Sequence, residues 1–261
     1  MSDVARLPGE VMAKIQFRSM GVKLIVVCGL ALVMVIPALF VWALVEDRTH
    51  RAKDVVNEIS QYAGGQQTFL GPTLAIPYTV PAASPSEGTR HGIYLVFPSR
   101  AVGAVKVATQ ERHRSLFKVP VFRADVELSG NFDLSGVPMA APPGAALQWD
   151  QAEIVVGTSD ARGALADAVL TVSGKALTMF PATVAQNLSV GGEGSPLVKL
   201  TLLGAKPDEV IEPNASFDVT AKLNFSGAQR VAVLAYGKTT ELSMKGDWPN
   251  PGFDGGFLPA A

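Results

Sequence analysis

FDVTAKLNF, residues 217–225, alternates without a break: Phe217, Val219, Ala221, Leu223 and Phe225 are apolar, and Asp218, Thr220, Lys222 and Asn224 between them are polar. A period of two sends successive side chains to opposite faces, so this segment predicts a β-strand with one face on a core and the other in water. Less regular versions of the pattern run through residues 92–98, 121–132, 152–156, 168–172, 197–203, 231–235 and 240–245. Turn chemistry separates them at Ser129-Gly130, Asp160–Gly163, Gly191–Gly194 and Lys206–Asp208. Many short strands with no helical period between them predict a mainly β domain over residues 66–261, built as an antiparallel β-sandwich or an open barrel. Pro72, Pro77 and Pro120 are expected at edges or bulges, because proline cannot donate to a ladder. The Pro/Ala/Gly-rich stretch 137–146 is a candidate boundary between two β subdomains.

Upstream the pattern is different. Leu24–Val45 is 22 residues without a charge. At about 1.5 Å per residue this is roughly 33 Å of helix, enough to cross a hydrocarbon core of about 30 Å. A secretory signal would end its shorter apolar run at a small-x-small site, whereas this run passes through Phe40, Val41 and Trp42 directly into Glu46-Asp47-Arg48. The segment therefore predicts an uncleaved transmembrane helix at 24–45, with residues 1–23 as a cytoplasmic tail. Lys14, Arg18 and Lys23 on one flank nearly balance Arg48, Arg51 and Lys53 on the other, so charge alone sets no orientation. Pro37 lies inside the span, where it reads as a bend that membrane helices tolerate. Residues 46–65 predict a juxtamembrane helix whose Val55, Val56, Ile59 and Tyr62 share one side, stopped by Gly64-Gly65.

Composition excludes several activities. With formal net charge -1 and 17% charged residues, the chain has no basic excess with which to hold nucleic acid. Its single cysteine, Cys28, is inside the span, so the rest of the chain can form no internal disulfide, Cys-based zinc site or thiol nucleophile. His50, His91 and His113 are scattered without metal-ligand spacing. Neither a Gly-x-Ser-x-Gly elbow nor a Walker-type loop occurs, and Gly191–Gly194 does not lead into a helix where it would cradle phosphate. No metal, cofactor or catalytic residue is expected. The most site-like loop is TSDARG, residues 158–163. Its Asp160 and Arg162 suit a local ion pair or a ligand's charged group, but the simpler expectation is a turn in which Asp160 caps the backbone and Gly163 takes positive φ.

Three stretches carry a resemblance to a known family: FLGPTLAIPYTV (69–80), with Gly71, Pro72 and Pro77; VGTSDARGALADAVL (156–170), with Asp160, Arg162 and Gly163; and DWPNPGFDGGFLPA (247–260), with Trp248, Pro249, Phe257, Leu258 and Pro259. With the N-terminal apolar helix, they occur in the order and spacing of the bacterial inner-membrane cell envelope integrity family CreD, which the chain resembles over nearly its whole length. The resemblance implies a place in the inner membrane, with the bulk of this chain in the periplasm. It further implies a structural or interaction role in envelope integrity and stress response under a two-component system, and in tolerance of envelope-directed toxins and β-lactams. Its partners are then the lipid bilayer and other envelope proteins. The alternative is a membrane-tethered periplasmic hydrolase working near Asp160–Gly163. Family members continue through further membrane helices, so Pro249, Pro251 and the apolar pair Phe257-Leu258 are expected to lead on toward another membrane segment.

Overall fold

The computed structural model describes residues 20–82, 88–114, 117–191, 197–248 and 252. Residues 1–54 and 55–261 form two compact units. The described part of the first, residues 20–54, belongs to α1 (Met20–Ala63), which continues through Pro37, where one backbone donor is missing and the helix does not end. The most apolar 18-residue stretch of Met20–Val55 has a mean hydropathy of 3.0 and is not buried, and this is the one described helix apolar and long enough to cross a membrane. Where the uncharged run ends, polar pairs begin. The Thr49 hydroxyl donates to Val45 O at 2.8 Å, and Glu46–His50 and Asp47–Arg51 pair across one turn at 2.8 and 2.9 Å. Tyr62 is 85% exposed, while the side chains of Val56 and Ile59 lie outside the described residues. Gly64 and Gly65, at φ +93° and +62°, turn the chain out of the helix into the second unit's first strand.

That unit is built from fourteen strands among the described residues. In chain order they are β1 (Gln67–Val80), β2 (Arg90–Val96), β3 (Arg100–Arg114), β4 (Phe117–Asp133), β5 (Ala146–Leu147), β6 (Glu153–Thr158) and β7 (Val169–Val172). There follow β8 (Lys175–Thr178), β9 (Phe180–Pro181), β10 (Asn187–Val190), β11 (Val198–Ala205), β12 (Ser216–Ala228), β13 (Val231–Val233) and β14 (Thr239–Gly246). One sheet runs β10-β11-β6-β1-β13, with β2 and β5 also on β1 and β9 on β11; the other runs β14-β3-β4-β12-β7-β8. Phe69 of β1 meets Phe225 of β12 edge-to-face at 5.2 Å, so the two sheets pack as a sandwich.

The alternation read at 217–225 is what β12 shows. Val219, Ala221, Leu223 and Phe225 are buried and Asp218, Lys222 and Asn224 are exposed. Its neighbour β4 reads the same way, with Ala124, Val126, Leu128 and Phe132 in the core, and Phe132 stacks on Phe217 at the register position opposite. By contrast, β1 and β6 are buried on both faces over most of their length, so their sequences are continuous apolar runs. The pairings are antiparallel, as expected, except for two parallel ones, β1 with β13 and β3 with β14. After β12 the chain crosses to the other sheet for β13 and back for β14, and a strand arriving from the opposite layer escapes the hairpin constraint that makes neighbours antiparallel.

The prolines sit where the ladder can spare a donor. Pro72 falls at a break in the β1–β6 register between Leu70 and Thr73, the place where β1 also exchanges its partner β13 for β2. Pro120 is one residue beyond the last β12 pair, Ala228 with Val121, so β4 has a partner there only on its β3 side. Pro77 lies opposite Ile93, and its carbonyl accepts from Gln148 N at 2.8 Å. Residues 137–146 fold as the short helix α2 (Val137–Ala140) and a turn with Gly144 at φ +75°, leading into β5.

Candidate functional site at the end of the apolar helix

Three segments meet where the chain leaves α1: Gly64–Thr68, the loop 158–163, and the end of β12 at Ser226–Ala228. Gln67 is the centre. Its side chain is fully buried, which is costly for an amide unless each polar atom is matched. The Nε2 group faces three carbonyls, Gly64 O at 2.6 Å, Asp160 O at 3.1 Å and Ser226 O at 3.2 Å, and Oε1 accepts from the Thr158 hydroxyl at 3.1 Å. Around it the backbones are laced together. Ala228 N donates to Gly65 O at 2.7 Å, Ser159 Oγ accepts from Thr68 N and donates to Gln66 O, and Ser226 Oγ donates to Gly163 O.

Within the loop, Asp160 caps the short turn 161–163 by accepting from Arg162 N at 3.0 Å, and its two oxygens accept from Arg162 Nε and Nη2 at 3.0 and 2.7 Å. The hydrogen bonds from the Arg162 side chain, and then its charge and backbone N–H, hold the Asp160 carboxyl below the usual carboxylate range despite partial burial. The expected cap is present; the expected positive φ at Gly163 is not. Gly163 is required for a different reason, because a Cβ there would lie 2.4 Å from both Ser226 O and Gln67 Nε2. Gly64 faces it across the same gap, with its own Cβ position 2.5 Å from the Gly163 Cα. Two glycines in contact let three backbones close on one glutamine.

Four residues along β1, Gly71 makes a second close contact. A Cβ at Gly71 would stand 2.3 Å from the Tyr236 ring, which lies on that bare backbone and is 1% exposed. The Tyr236 hydroxyl is 2.9 Å from both Val102 O and Ser129 O, and shares its one proton between them. Ring on one sheet and hydroxyl on the other make Tyr236 a pin across the sandwich, and burial raises its pKa so that it stays protonated.

The motif residues thus divide. Asp160, Arg162 and Gly163 are at the junction, Gly71 and Pro72 at the pin, and Pro77 further along β1. Trp248 is 38% exposed, and Pro249, Phe257, Leu258 and Pro259 lie outside the described residues, as do Gly192–Gly194 and the His113 side chain. Sequence reading passed over Gln67, Ser226 and Tyr236. For Gln67 a signal exists, a polar residue between a glycine pair and an apolar run; for Tyr236 there is none. Among the described residues no buried side-chain nitrogen or oxygen lacks a partner, the Gln67 amide included. No group of three or more His, Cys, Asp or Glu among them is placed to hold a metal. Chemically, the arrangement is a clamp on the chain as it leaves the helix.

Comparison with known proteins agrees with the family resemblance. The family model described as inner membrane protein CreD matches residues 19–261. The inner membrane protein CreD of Escherichia coli (strain K12) is 29% identical over 237 residues, covering 89% of this chain and 50% of that relative. The chain therefore spans about half the length of the curated relative it matches. No solved structure matches it. With one apolar helix ahead of a β-sandwich, and a family match reaching from that helix to residue 261, this chain belongs to the CreD family of inner membrane proteins.

Proposed function

We propose that this chain is a non-catalytic anchor of the cell envelope, with its β-sandwich on the periplasmic face and a role in envelope integrity exerted through contacts with other envelope proteins. The observation that carries the reading is the junction itself. Its most site-like residues, Asp160 and Arg162, are engaged with each other and with the backbone, and Gln67 uses its amide inside the fold. A hydrolase working at this loop would need a polar group free to reach substrate.

Two measurements on cells expressing the chain test the reading. In a Cys28→Ser background, a cysteine replacing Glu127, which is exposed on β4, should react with a membrane-impermeant thiol reagent in intact spheroplasts; reaction only after lysis would place the sandwich in the cytoplasm. A double variant Asp160→Asn, Arg162→Gln that folds should preserve envelope impermeability and β-lactam tolerance. Their loss with the fold intact would instead favour the hydrolase.

A further inference from the structure

We propose that two copies of this chain associate through β14, which pairs antiparallel with the β14 of the second copy and joins their sheets into one. β14 ends the second sheet: β3 lies along one side of it, and among the described residues no strand pairs with the other. A strand so placed turns alternate N–H and C=O groups outward, a ready template for another strand. The opposite end of the sheet is β8, only four residues long, whereas β14 runs for eight without a proline or a break in its register with β3. Leu242 is 43% exposed at this edge, and Glu241, Ser243 and Lys245 are exposed on the other face of the strand.

The order of residues along β14 says what that second strand is. Two identical strands related by a twofold axis pair only in registers that set residues of one face against each other, so one residue meets its own copy and the rest pair symmetrically about it. Centred on Ser243, Glu241 meets Lys245 of the second copy on both sides of the axis, Leu242 meets Met244, and Thr240 meets Gly246. Unlike charges and apolar residues thus match in a single register. Moving the centre to Leu242 or to Met244 sets Glu241 against Ser243 or Asp247 and loses both ion pairs. Charges on an edge strand ordinarily keep other strands away, and this order of charges repels most strands while admitting its own copy. Lys245 also lacks a carboxylate at home. It lies in register with Lys106, no carboxylate among the described residues pairs with it, and Lys106 has Asp125 opposite on β4. Glu241 meets Arg100 through one oxygen, Oε1, at 3.0 Å in an exposed pair, which leaves Oε2 for a second cation. The pairing needs neither the periplasmic placement nor the absence of catalysis.

The test uses the whole purified chain in detergent, with Cys28→Ser and Ser243→Cys, and disulfide trapping by a mild oxidant. In the register centred on Ser243 the two cysteines face each other with Cα atoms about 4.5–5.5 Å apart, within reach of a disulfide. The expected result is a crosslinked dimer, with little from Asn224→Cys in the same Cys28→Ser background, a position exposed within β12. Glu241→Lys and Lys245→Glu should each cut trapping about tenfold, because like charges then meet twice. Mixed together, those two chains should trap each other as well as the parent traps itself, since every cation again faces a carboxylate. Such a rescue cannot come from contacts of α1. Trapping that ignores the charges, single losses without rescue in folded chains, or trapping as strong at residue 224 would overturn the proposal. So would failure to trap at residue 243, as expected if another segment of this chain or a different protein covers the edge. If either charge variant unfolds, the comparison of residues 243 and 224 in the parent chain decides.

Discussion

β1 carries two glycine-dependent contacts four residues apart, and they hold by opposite means. At Gly163 and Gly64 the contact is backbone against backbone around a buried amide, and its strength lies in matched donors and acceptors. At Gly71 an aromatic ring lies on bare backbone, and its strength lies in excluded water and close packing, with one hydroxyl reaching the other sheet. Polar clamps and apolar pins fail differently. A clamp loses specific bonds while its neighbours can still find water; a pin leaves a cavity that nothing fills.

The largest effect should come from removing the pin. Tyr236→Ala empties a fully buried aromatic site and should lower stability by about 3–5 kcal/mol, as other buried aromatic truncations do. Tyr236→Phe keeps the ring and should cost only about 1 kcal/mol, the net worth of one hydrogen bond. Thermal unfolding of both variants in detergent separates ring from hydroxyl. Equal losses would mean that the hydroxyl, not the packing on Gly71, holds the sheets together.

Next comes the clamp. Gly163→Ala forces a methyl against Ser226 O and the Gln67 amide, and overpacking of this kind costs about 1–3 kcal/mol. Amide hydrogen exchange should quicken first at Ala228, whose N–H bonds Gly65 O, while the amides of the β4–β12 ladder further along keep their protection. Exchange that quickens evenly over both sheets would erase the distinction between clamp and pin.

The smallest effect is electrostatic. The folded state lowers the Asp160 pKa from 3.8, so the carboxylate's contribution is complete above that value and is lost as pH falls through the lower folded value. Acidification below about pH 4 should therefore loosen the junction in the parent chain, and Asp160→Asn should remove that part of the acid dependence with little change at pH 7. Arg162 is largely exposed, which keeps the effect small. An unchanged acid limb in the Asn variant would show that Asp160 acts as a neutral cap.

The sequence by itself determined whatever depends on local pattern against a uniform solvent. Twenty-two uncharged residues specify a membrane helix because hydrocarbon solvates every position alike, and strict alternation specifies β12 because its two faces meet a core and water. Even Pro72 was legible as an edge or a bulge, since a missing donor must be placed where the ladder breaks, and the structure puts it at a register break. β3 was not anticipated, because the small residues of AVGAVKVA give its alternation little contrast. Tertiary structure alone decided which strands pair, that β13 and β14 run parallel to their neighbours, and that Gly163 serves close approach and not a left-handed turn. It alone brought Gln67, Asp160 and Ser226 together and set Tyr236 on Gly71. Each of these is a contact between residues far apart in the chain, and a single position shows only that a glycine or a tyrosine stands there, not what will approach it.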